Sequence, residues 1–277
     1  MAARLLNMTD GLPTELLWNL TLRELRSKFK RSALGWLWSV INPLANIAVY
    51  GVVFGVFFNV QTPVGDPSGL HLYVIFLVCG LLPWTFVANS LGGATGSIVG
   101  NEGLVKKVYF PRSVLPTAST LAWLTSFGVE MAVLGVVLLA VGNFIVPWIP
   151  VVLVLMVLQT VFLLGLGLIL SAANAYFRDV QHFLAIGLNI WFYATPIIYP
   201  PDQVPKSFTV VGITIPIRAI LRLNPMVPFV DAYRDVLYNL RWPALSQWGS
   251  ITVISLASLA LGAAVFRRLE PRLAEEL

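Results

Sequence analysis

The chain has 277 residues, 57% of them hydrophobic and 11% charged, with a formal net charge of +5. Ordinary soluble domains carry about 25% charged residues, and a soluble fold of this length cannot hide so much apolar surface. A bilayer can, because hydrocarbon solvates the outer faces of spanning helices.

Residues 1–33 read as a cytoplasmic interface segment. Leu12, Leu16, Leu20, Leu22, Leu25 and Phe29 recur at helical spacing, with Trp18 nearby. Arg23, Arg26, Lys28, Lys30 and Arg31 add positive charge. The pattern predicts an amphipathic helix over Leu12–Arg31 lying in the interface plane. A solvated helix packed on a soluble partner fits the same pattern. The basic residues stand directly before a long apolar span, unlike the order in a cleavable signal peptide.

Residues 34–277 read as one transmembrane domain. A spanning helix needs about twenty mostly apolar residues. Six segments qualify: Leu34–Phe58, Leu72–Ala94, Val114–Val141, Val151–Ala173, Phe183–Tyr199 and Gln247–Phe266. The expected fold is therefore all-α and polytopic, with six transmembrane helices. Lys and Arg favour cytoplasmic loops near span ends. With the N-terminus inside, thirteen of the eighteen basic residues are cytoplasmic. The other five are Lys206, Arg218, Arg222, Arg234 and Arg241, all in one outer segment. Both termini are then inside, so charge asymmetry reflects topology and not nucleic-acid binding. The outer segment 200–240 is too apolar for a loose loop, and Pro216, Pro225 and Pro228 break it. Short re-entrant or interfacial helices before the last span are expected there, since Arg218 and Arg222 are costly in lipid.

Catalytic chemistry is not indicated. The chain has no P-loop, no His-Glu-x-x-His and no Gly-x-Ser-x-Gly. Cys79 is the single cysteine, so no intrachain disulfide forms, and His71 and His182 have no partners at metal-ligand spacing. Glu130 is the one acid inside a span. It is read as a packing or hydrogen-bonding group facing the bundle interior, with a proton or substrate site as the alternative. Aromatic residues near span ends fit an interfacial belt. Tyr50, Phe54, Trp191, Phe192 and Tyr193 fall within spans and suit either packing or a sugar path.

Several stretches carry a resemblance. Arg23 to Trp38 followed by Ile41-Asn42-Pro43-Leu44 resembles the basic helix and Leu-Gly-x-x-Trp…Asn-Pro opening of permeases from ATP-binding-cassette polysaccharide exporters. Gly103 to Arg112 with Leu115-Pro116 is similar to the family's cytoplasmic segment after the second span. Tyr176-Phe177-Arg178-Asp179-Val180, Thr195-Pro196-Ile197-Ile198-Tyr199 and Asn224-Pro225-Met226 match in the same order.

The resemblance implies a homodimer of this chain with two separate ATPase subunits. ATP and magnesium would be bound by those subunits, with no cofactor here. Segment 101–112 would be a coupling helix seated in the ATPase, through Val105, Lys106, Lys107, Tyr109, Phe110 and Arg112. Arg23, Arg26, Lys28 and Arg31 would attract the pyrophosphate head group of a lipid-linked polysaccharide at a lipid gate, or anionic membrane lipid in general. Tyr50, Phe54, Trp191 and Tyr193 would line the path enclosed by the first and fifth spans of two copies. The expected activity is ATP-driven export across the bacterial inner membrane. An exporter of drugs or ordinary lipids, a proton-coupled transporter built on Glu130 and a membrane glycosyltransferase are the rival classes.

Overall fold

The computed structural model describes residues 12–28, 37–57, 63–200, 208–210, 213–215, 218, 221 and 223–273. Helix α1 is Leu12–Lys28, with Glu15 in its first turn and Arg26 and Lys28 in its last. That placement complements the helix dipole. Helix α2 is Trp38–Tyr50 and continues as a π-helical turn, Gly51–Phe57. Helix α3 is Tyr73–Ser97, and a 3₁₀ turn leads from it to the short helix α4, Glu102–Lys107. Then come α5, Val114–Ala140, α6, Ile149–Tyr176, and α7, Val180–Tyr193. Two three-residue strands, β1 (Phe208–Val210) and β2 (Ile213–Ile215), form an antiparallel hairpin. Helix α8, Val227–Arg234, runs into a π-helical turn, Asp235–Asn239. Helix α9 is Leu245–Leu269 and ends in the 3₁₀ turn Glu270–Arg272.

Among the described residues, four helical stretches are long and apolar enough to cross a membrane: Tyr73–Ser97, Val114–Ala140, Val146–Tyr176 and Leu245–Arg272. Each has at least 25 residues. At about 1.5 Å per residue even the shortest exceeds the roughly 30 Å hydrocarbon core. The other two expected spans differ from expectation. Of the segment 34–58, the helical part described is Trp38–Phe57. The fifth helix begins at Val180 and ends at Tyr193, six residues early, so its 14 residues reach about 21 Å. Its end is set by the turn through Thr195 and Pro196, since Pro disfavours helix in the residue before it.

Helix α3 is the axis of the body. It is buried on nearly every side, from Tyr73 to Ser97, which fits a sequence that is apolar all round. Around it stand α5, α6, α7 and α8. Helices α5 and α9 keep wide exposed apolar faces, including Val136, Leu139, Val253, Leu256 and Leu261. In a bilayer those faces meet lipid or another subunit. Polar side chains knit the interior. Gln159 donates to the Pro83 carbonyl at 2.8 Å and accepts from the Tyr233 hydroxyl at 3.0 Å. Ser255 and Ser258 of α9 donate to the Leu158 and Phe162 carbonyls of α6, each at 2.8 Å.

The outer segment 200–240 departs in part from a set of short helices. It contains the hairpin, and its described helical part is packed within the protein. From Phe229 to Tyr238 nearly every residue is buried, with Asp231 half-buried. This piece is covered by protein, the condition under which irregular backbone is tolerated at membrane depth. Leu240, at φ 58°, turns the chain out of the π-helical turn.

Candidate functional site

A second, smaller core closes the end of the bundle that carries α4. Leu20 of α1, Ile98, Val105, Val114, Leu115, Leu168, Ala172, Phe266 and Leu273 are buried together there. Leu104, Phe110 and Tyr176 pack against them. Val105 therefore anchors α4 within its own chain. Phe110 is half-buried in the same way. Lys106, Lys107, Val108 and Tyr109 remain outside, and Tyr109 is fully exposed. Lys106 reaches Glu102 at 2.6 Å, and this hydrogen bond, followed by the charge, holds the Glu102 carboxyl below its ordinary range. Arg112 is engaged by the chain's own tail. Its backbone N–H donates to the Glu270 carboxylate at 2.9 Å and its guanidinium to the Glu270 carbonyl.

Helix α1 lies along α5, with Leu20 and Thr21 buried. Trp18 and Arg26 face outward. Arg23 is half-exposed, paired with Glu24 at 3.3 Å and donating to Asn101 at 2.6 Å. Lys28 is turned inward. Its ammonium donates to the Ala122 carbonyl at 3.3 Å and the Ser126 hydroxyl at 3.2 Å, and it lies 3.2 Å from the centre of the Trp123 ring. Burial lowers it from 10.5 to about 8, against the opposing pull of Glu130 and then Glu24. Arg31 lies outside the described residues.

The expected path residues differ in exposure. Trp191 is packed inward, edge-on to Trp84 with ring centres 5.5 Å apart, and its indole N–H donates to Asn224 at 2.7 Å. Tyr193, by contrast, is exposed. Tyr50 is half-buried against the main core. The Phe54 side chain lies outside what the structure describes. No residue of α7 is fully buried: Leu184, Leu188, Trp191 and Phe192 pack against the core and much of the rest of the helix is exposed. No group of three or more His, Cys, Asp or Glu is placed to hold a metal ion among the described residues.

The model of the ABC-2 type transporter family matches residues 15–238. The chain belongs to the ABC-2 type transporter family. It is 30% identical over 267 residues to the O-antigen export system permease protein RfbA of Klebsiella pneumoniae, covering 95% of each chain. Similarity of the same extent, 30% over 266 residues, links it to the RfbA permease of Myxococcus xanthus. The polysialic acid transport protein KpsM of Escherichia coli is 25% identical over 252 residues, covering 91% of this chain and 92% of its own.

Two motifs that mark this ABC-2 chain in sequence meet in space. Asn224 donates to the Thr195 hydroxyl at 2.9 Å and the Ala194 carbonyl at 3.0 Å, while its own oxygen accepts from Trp191 and from the Met226 N–H. The Asn224-Pro225-Met226 turn thus holds the end of α7 to the start of α8. Arg234 was counted with the outer loop charges and is instead buried. It donates to the Pro196 carbonyl at 2.6 Å and the Ile197 carbonyl at 2.5 Å, with its guanidinium 3.8 Å from the centre of the Phe76 ring. Its place between apolar residues of Val227–Leu240, a stretch that also holds Asp231 and Asp235, was the available signal. Glu270 was missed as well, because nothing local in sequence joins it to Arg112.

Proposed function

We propose that this chain is the membrane-spanning subunit of an ABC exporter. It moves a lipid-linked polysaccharide from the cytoplasmic face of the bacterial inner membrane, driven by ATP hydrolysis on a separate subunit. The observation that carries this reading is the similarity along 95% of both chains to proteins named as O-antigen export permeases. The unit is a homodimer with two ATPase subunits, which bind ATP and magnesium. Each copy crosses the membrane six times with both termini inside, the two shorter helices α2 and α7 completing the count beside the partner copy.

The arrangement of α4 supports a coupling role. A helix held from behind by Val105 and Phe110, and by Arg112 through Glu270, presents Lys106, Lys107, Val108 and Tyr109 as a stiff apolar and basic knob. That surface suits a cleft with an apolar floor and acidic rim. At the lipid gate, Arg26 and Arg23 are the described cations left to attract a pyrophosphate head group, with Arg31 following in sequence. Lys28 is committed to α5. Along the path, Tyr193 is the described aromatic side chain open to a passing glycan.

Depletion of the protein in its host tests the reading. Lipid-linked glycan then accumulates on the cytoplasmic side, and wild-type protein restores surface glycan only with an intact partner ATPase. Normal surface glycan after depletion overturns the substrate class and turns attention to lipid or drug efflux.

A further inference from the structure

Glu130 is the acid that the sequence leaves alone inside the third span, and the fold provides its counterpart. Lys28 ends α1, and its ammonium is held against α5 by the Ala122 carbonyl, the Ser126 hydroxyl and the Trp123 ring. Glu130 stands one turn beyond Ser126 on the same face of α5, about 6 Å along the helix. A cation from the interface helix is therefore held at Trp123 and Ser126, one helical turn from an acid of the span.

We propose that Glu130 is the counter-charge that seats α1 on α5 through Lys28, and so positions the helix flanking the lipid gate. An ammonium that has left water is costly unless an opposite charge compensates it. Removing the acid alone leaves the cation uncompensated and loosens α1. Removing both charges leaves the apolar contact of Leu16, Leu17 and Leu20, and α1 seats again. A proton-relay carboxylate behaves differently, because deleting Lys28 does not repair its loss.

The test uses the full chain with its ATPase subunits in lipid nanodiscs. Spin labels on cysteines replacing exposed Trp18 and Thr125 report the α1–α5 distance, and native Cys79 is buried. The wild type gives one narrow distribution. Glu130→Gln broadens it, Glu130→Asp broadens it less, and Lys28→Met added to Glu130→Gln restores it. An unchanged distribution in Glu130→Gln overturns the pairing, and so does failure of the double variant to recover. The gate role rests on the export reading, so export per ATP is measured in parallel. It falls several-fold in Glu130→Gln and recovers in the double variant. If distances follow the pairing but wild-type protein exports no glycan, the substrate reading fails while the seating of α1 stands.

Discussion

Gly165 of α6 and Gly262 of α9 meet backbone to backbone. A Cβ at Gly262 would overlap the main chain of Gly165, and one at Gly165 would overlap the main chain of Ser258. Small residues let membrane helices approach this closely, and here Ser255 and Ser258 add hydrogen bonds along the same seam.

Gly165→Val or Gly262→Val therefore forces the two helices apart. The cost is about 1–3 kcal/mol or more, because backbone must move and the serine bonds lengthen with it. Thermal unfolding of detergent-purified protein is expected to shift several degrees downward. Gly249, with open space around it on the same helix, is the control site and tolerates Ala with little change.

Arg234 holds three pieces of chain at once: α3 through Phe76, the turn after α7 through Pro196 and Ile197, and α8 through its own backbone. Arg234→Met leaves buried carbonyls without donors, at about 1–3 kcal/mol for each. Arg234→Lys keeps the charge but not the planar fork, and loses less. The unfolding temperatures should rank wild type, Lys, Met. Equal stability of Met and wild type would refute the role of a pin.

The long apolar runs were legible because 25 or more residues without a helix breaker at their centre leave few alternatives in a bilayer. Pro83 is the exception inside α3, and that helix continues through it. The fifth helix was misplaced because hydropathy does not register where a turn ends a helix. Its true boundary follows from Thr195-Pro196 held by Asn224, a contact 29 residues apart in sequence. Charge counting filed Arg234 with the loop cations, although it is buried, since a cation satisfied by carbonyls looks the same in sequence as one in water. Within 101–112 the residue types pointed to a docking helix, but which apolar side chain faces inward is decided by the partner helices. Val105 and Tyr109 sit four apart and take opposite fates because Tyr109 lies past the end of α4.

That split yields a paired prediction. Tyr109→Ala removes an exposed ring and is expected to cut co-purification of the ATPase subunits several-fold, with unfolding temperature unchanged. Val105→Ala removes buried methyl groups, costs about 1–2 kcal/mol of stability and weakens ATPase binding only as far as α4 loosens. Pull-down yield and thermal unfolding, measured on both variants, separate the two roles. If Val105→Ala proves the worse for binding while stability holds, the knob has been assigned to the wrong side of the helix.

The seating of α1 has a pH dependence whose sign follows from Lys28. Seated, its ammonium is lowered to about 8 chiefly by burial; in water its ordinary value is 10.5. The charged groups facing it are Glu130 on α5 and Glu24 on its own helix, and both oppose the lowering. Between those two values the unseated helix binds more protons than the seated one, so seating strengthens as pH rises through that window. Below it Lys28 is charged in both states, and the full cost of burying the ammonium is present. The α1–α5 distance distribution should therefore be narrower at about pH 9.5 than at about pH 7. Glu130→Gln removes the larger opposing pull, lowers the seated value further and makes the narrowing larger. Lys28→Met removes the Lys28 contribution between those two values. A distribution that broadens with rising pH in the wild type, or one that keeps its pH response in Lys28→Met, would mean that another group governs how α1 sits.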